Sequence, residues 1–288
     1  MSTSPSLELK LQPSLMDSRQ VMRARLFKIV QTASATRLVL LRAPAGYGKT
    51  TAMVQLSQYF EGNGRVVAWL TLDAADNDLS RFMHCLAAAL RQVPGLDGAA
   101  DETPDSSELH LLYRLSRCTH PFVVFLDEVE ALHNKAALDA VQHLLDHLPT
   151  SGMLVLGSRT EPELRLSRLR ARRQLVEIDA ALLRFTLDET RKLLAQQGHK
   201  GLQPTDIEAL HAKTEGWAAG LQLASIALER QSSEAEFIAR FSGSSIAIGD
   251  YLLDEVFRRQ SPKIQEFLLH VHPQVGGDRL AHRRCVRA

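Results

Sequence analysis

The chain has 288 residues, 45% of them hydrophobic and 23% charged, and 34 Lys and Arg stand against 33 Asp and Glu for a formal net charge of +1. That length and balance specify a globular protein with a substantial core and exclude general disorder or a global basic field drawing the chain to nucleic acid or membrane. No apolar run approaches the roughly 20 residues of a membrane span, and Met1-Ser-Thr-Ser-Pro-Ser-Leu-Glu lacks the layout of a signal peptide, so no membrane partner and a cytoplasmic location are expected.

Residues 1–20 are polar and punctuated by proline, which reads as a flexible N-terminus, and helix is predicted over Val21–Val30. The arginines of that helix lie beside a nucleotide base or face solvent. A buried strand follows at Arg37–Arg42, and it runs straight into Ala43-Pro-Ala-Gly-Tyr-Gly-Lys-Thr-Thr51 and then a helix over Ala52–Phe60. Strand, glycine loop and helix in that order describe a Walker A phosphate-binding loop. Its backbone N–H groups from Ala45 to Thr51 would curl around phosphate at a helix N-terminus, with Gly46 and Gly48 permitting the required backbone angles. Lys49 would reach the β- and γ-phosphates, and Thr50 would offer its hydroxyl to Mg²⁺. The pattern G-x-x-x-x-G-K-[ST] has Gly where this chain has Ala43, a departure small enough to leave the loop intact.

A second strand is predicted at Arg65–Leu72, ending in the carboxylate-rich Asp73–Asp78, which starts a helix extending to Leu90. An exposed loop from Pro94 to Ser107 and a helix over Leu109–Leu115 precede Pro121-Phe-Val-Val-Phe-Leu-Asp-Glu128. Five apolar residues before an acidic pair describe a buried parallel strand that delivers carboxylates to the edge where open α/β sheets bind ligands. Asp127 is assigned to Mg²⁺ and Glu128 to orienting or activating a water. His143 and His147 stand at i, i+4 on the next helix, Ala136–Leu148, without a zincin pattern, and read as surface histidines. The fourth strand, from Gly152, ends at Ser158 and Arg159, where a guanidinium can sense a γ-phosphate. Arginines 165, 168, 170, 172 and 173 form a local basic cluster read as a solvated helix face, and Gln174–Asp179 supplies a fifth strand. The expected fold class is α/β, a parallel P-loop NTPase sheet with helices on both faces.

Beyond Ala180 the pattern becomes helical only, opening with a capping box at Thr186 and Glu189, breaking at Gly201–Asp206, and resuming through Thr214-Glu-Gly-Trp-Ala-Ala-Gly-Leu-Gln-Leu-Ala224. A further helix pair is expected at 250–257 and 262–269, and the basic, histidine-bearing stretch after it reads as irregular. Cys85, Cys118 and Cys285 have no paired spacing and are expected as reduced thiols.

The segments APAGYGKTT, WLTLDAADNDLSRF, FLDE, LGSRTEPELRLSRLR, LRFTLDET, TEGWAAGLQLASIAL and DYLLDEVFRRQSPKIQEFLL, in this order, resemble the large ATP-binding regulators of the LuxR type, the MalT-like group within the STAND class of signalling ATPases. The resemblance implies a nucleotide-binding domain over 21–180, a helical domain over 181–245, the start of a winged-helix domain over 246–270 and a basic tail over 271–288. It implies ATP or ADP with Mg²⁺ as ligands, Val21–Leu26 near the adenine, Gly220–Ala224 lining the nucleotide, and Lys49, Thr50, Asp127 and Arg159 in the phosphate, metal and sensor roles. The family would continue into a sensor and a helix-turn-helix, so a truncated regulator, self-associating in its ATP state and without specific DNA binding, is the expectation. Hydrolysis is expected to be slow, and the alternative is a P-loop ATPase or kinase-type enzyme with true turnover.

Overall fold

The computed structural model describes residues 5–13, 20–32, 35–96, 108–229 and 234–241. The expected winged-helix start, the basic tail with Cys285, and most of the loop before Ser107 lie outside the described residues. The chain divides into two compact units, Met1–Leu221 and Gln222–Ala288.

Five parallel strands, β1 (Leu38–Arg42), β2 (Val66–Thr71), β3 (Phe122–Asp127), β4 (Gly152–Ser158) and β5 (Leu175–Asp179), pair in the order β2-β3-β4-β1-β5. All five occur where alternation and apolar runs predict them. The order sets β4 between the strand that feeds the glycine loop and the strand that ends in Asp127. Register brings Arg42 opposite both Ser158 and Asp179, so the loops that follow β1, β3, β4 and β5 open along one edge. This is a P-loop NTPase fold.

Strand period two sorts the core. Leu38, Leu40, Leu70, Val124, Leu126, Leu154 and Leu156 face one side, where α4 (Leu79–Leu90), α5 (Glu108–Ser116) and α6 (Lys135–His147) pack. Val39, Leu41, Trp69, Phe125, Val155 and Ile178 face the other, covered by α2 (Ala24–Thr32) and α3 (Lys49–Gly62). Both faces are dry, as parallel sheets require. Stacking of Trp69 on Phe125 at 5.2 Å, with the Phe60 edge 6.3 Å from Phe125, locks α3 onto the centre of the sheet.

The N-terminal segment departs from the sequence expectation. Within the stretch expected to be flexible, Pro5–Lys10 forms a short helix, α1, with Leu7 and Leu11 against the core. Its last residue explains the order. The Lys10 ammonium reaches the fully buried carboxylate of Asp76 and, at 3.0 Å, that of Asp73, on the 3₁₀ turn Ala74–Asn77 that follows β2.

After α7 (Ser167–Ala171), a single helical turn where a longer basic helix is expected, and after β5, the chain continues through α8 (Ala180–Leu183), α9 (Leu187–Gln196), α10 (Pro204–Thr214) and α11 (Ala218–Leu228). The expected capping box is present: Thr186 Oγ1 accepts from Glu189 N–H while the Glu189 carboxylate accepts from Thr186 N–H. The unit division falls within α11. In the second unit, Phe237 of α12 (Glu234–Arg240) lies tilted against Phe241, just past the helix, with ring centroids 5.5 Å apart.

Candidate functional site

The glycine loop turns through left-handed backbone at Gly46, φ 80°, and Gly48, φ 73°, and delivers Lys49 and Thr50 into the first turn of α3. Ala43 is not among the positive-φ residues, so the position needs no glycine and the departure from the strict pattern costs nothing. Ala45 in the loop and Thr51 in the helical turn are both half-buried. The N-cap of α3 has no side-chain partner, which leaves its first N–H groups directed at the loop mouth, the arrangement that favours an anion. Lys49 is buried, and its ammonium donates to the carbonyl of Ala43 at 2.8 Å. Burial lowers its pKa, opposed by the carboxylates of Glu130, Glu128 and Asp127.

Thr50 and Asp127 meet at the strand edge: the hydroxyl donates to Asp127 Oδ2 at 2.8 Å. Ligands at about 2.1 Å in adjacent corners of an octahedron stand about 3 Å apart, so two hard oxygens at this spacing fit neighbouring positions around Mg²⁺. Asp127 is buried, which raises its carboxyl pKa, and its other oxygen accepts the Glu128 N–H at 2.9 Å. Gly157 of β4 makes this approach possible. A Cβ there would stand 2.5 Å from Asp127 Oδ1 and 2.3 Å from Met53 Sδ, so a larger residue would displace the carboxylate.

Glu128 adopts φ 58°, an unusual backbone for a residue with a side chain, and this turns its carboxyl out of the strand direction. Burial, followed by the hydrogen bond and negative charge of Glu130, pushes its pKa to about 7. Arg159 completes the group. Its Nε lies 2.9 Å from Glu130 Oε1, its backbone N–H donates to Glu130 Oε2 at 3.1 Å, and its Nη2 is 3.6 Å from Glu128. The structure thus brings Lys49, Thr50, Asp127, Glu128 and Arg159 to one edge. Arg159 also borders a cavity of about 310 Å³ shared with Ala43 and Pro44 of the loop.

Several participants were not visible in the sequence. Glu130 carries no motif and becomes significant only because a 3₁₀ turn folds it back over the sheet edge. Arg23 is 2% exposed, donates to the carbonyls of Tyr47 at 3.3 Å and Leu183 at 3.0 Å, and stacks its guanidinium 4.5 Å from the Phe185 ring. Of the two alternatives open for these arginines, solvent exposure is therefore wrong for Arg23. Burial lowers its pKa to about 10. Gln55 of α3 fixes the approach of this segment by accepting from Arg23 N–H at 3.1 Å and donating to Val21 O at 2.9 Å.

The helical segment touches the loop directly. Ala219 N–H, at the start of α11, donates to Gly46 O at 2.9 Å, and Phe185 N–H donates to Gly216 O at 2.8 Å. Arg25 pairs with Glu189 at 3.0 Å and also reaches the carbonyls of Leu182 and Arg184. The basic cluster is exposed and partly neutralised, with Arg170 held by Glu161 at 2.8 Å and Glu177 at 2.7 Å. His143 and His147 are exposed, and His147 Nδ1 is taken by the His143 carbonyl at 2.9 Å.

No described helix is long and apolar enough to cross a membrane. No family model matches the chain. It is 32% identical over 276 residues to the serine/threonine-protein kinase PknK of Mycobacterium tuberculosis, covering 93% of this chain and 25% of that protein. It is 33% identical over 260 residues to the HTH-type transcriptional regulator MalT of Klebsiella pneumoniae subsp. pneumoniae, covering 86% of this chain and 28% of MalT. Among solved structures, the Aeropyrum pernix ORC1 protein in complex with DNA aligns over 93% of this chain and 75% of its own, with 19% identity and a TM-score of 0.48. By its sheet order and glycine loop the chain has a P-loop NTPase fold, and its sequence is similar, over most of its length, to about a quarter of the length of PknK and of MalT.

Proposed function

We propose that this chain is an ATP- and ADP-binding switch module of the kind used by MalT-like regulators of the STAND class. In this reading Lys49 and the loop N–H groups from Ala45 to Thr51 hold the phosphates, Thr50 and Asp127 hold Mg²⁺, and Arg159 distinguishes the γ-phosphate. The observation that carries the switch is the bond from Ala219 N–H to Gly46 O. A loop that must close its N–H groups around phosphate shares its backbone with the first turn of a helix outside the sheet. Nucleotide that reshapes the loop then acts on that helix, and self-association in the ATP state is the proposed output. Similarity to parts of a protein kinase and a transcriptional regulator supports a module that serves different outputs over one that performs either.

Glu128 favours a second reading, a turnover ATPase or kinase-type enzyme, because a carboxyl with a pKa of about 7 beside a metal-binding aspartate suits a general base. Steady-state ATP turnover with Mg²⁺ separates the two. The switch predicts hydrolysis far slower than the roughly 1–100 s⁻¹ of kinases, and a rate in that range would replace the switch with the enzyme.

A further inference from the structure

We infer that Glu130 sets the preference of this site between nucleoside diphosphate and triphosphate, by competing with a γ-phosphate for Arg159. The inference rests on the nucleotide-binding reading above and adds a residue that no sequence motif marks. Glu130 uses both carboxylate oxygens on one residue: Oε1 faces the Arg159 Nε at 2.9 Å, and Oε2 accepts the Arg159 backbone N–H at 3.1 Å. The first contact is a close ion pair without the alignment of a hydrogen bond, which leaves the guanidinium free to exchange it, and the second is a hydrogen bond that fixes the backbone from which the guanidinium projects. Both side chains are largely shielded, at 18% and 22% exposure, so the pair is stronger than one in open water. Glu128 adds a third, looser contact at 3.6 Å.

A phosphate oxygen and a carboxylate bind guanidinium with similar strength and similar fork geometry. The exchange of Arg159 from Glu130 to a γ-phosphate is therefore close to balanced, and small changes on the protein side decide it. A diphosphate has no oxygens at the γ position and leaves the Arg159–Glu130 pair intact. A triphosphate must either draw the guanidinium away or bind with that cation already neutralised. The carboxylates of Glu128 and Glu130 also act on Lys49, so their negative charge at this edge opposes the extra charge of a γ-phosphate. The cavity that Arg159 borders beside Ala43 and Pro44 gives its side chain room to turn.

The test is calorimetric titration of the full chain with Mg·ATP and Mg·ADP, as the unsubstituted protein, Glu130→Gln, Glu130→Asp, Arg159→Ala and the Glu130→Gln/Arg159→Ala pair. Glu130→Gln keeps the shape and removes the charge, and it is expected to raise the ratio of ATP to ADP affinity by roughly tenfold, within the usual range of coupling between sites. Glu130→Asp, one methylene shorter, should move the ratio in the same direction by less. The gain should vanish when Arg159 is absent. An unchanged ratio, a gain that survives Arg159→Ala, or a selective loss of ATP affinity in Glu130→Gln would overturn the inference, the last by making Glu130 the group that aims Arg159 at phosphate. Failure of the unsubstituted chain to bind either nucleotide would instead remove the reading on which the inference stands.

Discussion

Replacing Gly48 by alanine tests how the glycine loop is braced from behind. Two costs can be worked out. At φ 73° an alanine pays for left-handed backbone by about 1–2 kcal/mol. The new Cβ would also stand 2.5 Å from Arg23 Nη2. A collision with the end of a long side chain is usually relieved by rotation, but Arg23 is 2% exposed and held by the Tyr47 and Leu183 carbonyls and the Phe185 ring. Moving it breaks at least one charge-assisted hydrogen bond, worth about 1.5–3 kcal/mol. Gly48→Ala should therefore destabilise the protein by about 2.5–5 kcal/mol, and by only about 1–2 kcal/mol in an Arg23→Ala background, where the backbone cost alone remains. Urea unfolding of the four proteins of this cycle, followed by tryptophan fluorescence, measures the difference. Equal costs of Gly48→Ala in the two backgrounds would refute the bracing argument.

Asp76→Ala should destabilise by about 3–5 kcal/mol, because it leaves the Lys10 ammonium and the Arg81 guanidinium without their buried acceptor. The Lys10→Ala/Asp76→Ala pair should cost less than the sum of its singles in urea unfolding, and strict additivity would mean that α1 is not anchored there. Stability in the absence of nucleotide should also fall as pH rises from about 4.5 to about 7. Glu128 binds its proton more tightly folded than unfolded, so the native state holds the extra proton across this window and loses that advantage as pH passes the folded pKa. With partial exposure discounted, the effect is about 1–2 kcal/mol. Glu128→Gln should flatten this part of the profile in pH-dependent melts, and an unchanged slope would assign it to other groups.

Much of the fold was legible because its signals are local. An apolar run such as Leu38–Leu41 declares a strand, Gly46 and Gly48 before Lys49 declare the loop, and Thr186 with Glu189 declares a helix start. What stayed hidden depends on pairing at long range. The placement of β4 between β1 and β3 has no local signature, yet it decides that Arg159 stands beside Glu130 and that Gly157 makes room for Asp127. Likewise, Lys10 looks like any polar residue of an N-terminal segment until the chain brings it to a carboxylate 66 residues away. Arg23 reads equally well as solvent-facing, and only the close approach of Tyr47, Leu183 and Phe185 shows why it is buried. The legible half of the site is therefore its motif, and the hidden half is the set of side chains that hold the motif in position.

The measurement that bears most directly on the account is nucleotide affinity with and without Lys49. In calorimetric titration the unsubstituted chain should bind both Mg·ATP and Mg·ADP. Lys49→Ala should weaken that binding by about 2–5 kcal/mol, because the polyphosphate loses the buried cation that the first turn of α3 presents to it. Equal affinities in the two proteins would contradict the assignment of this loop as the phosphate site, and with it the switch built on its contact with α11.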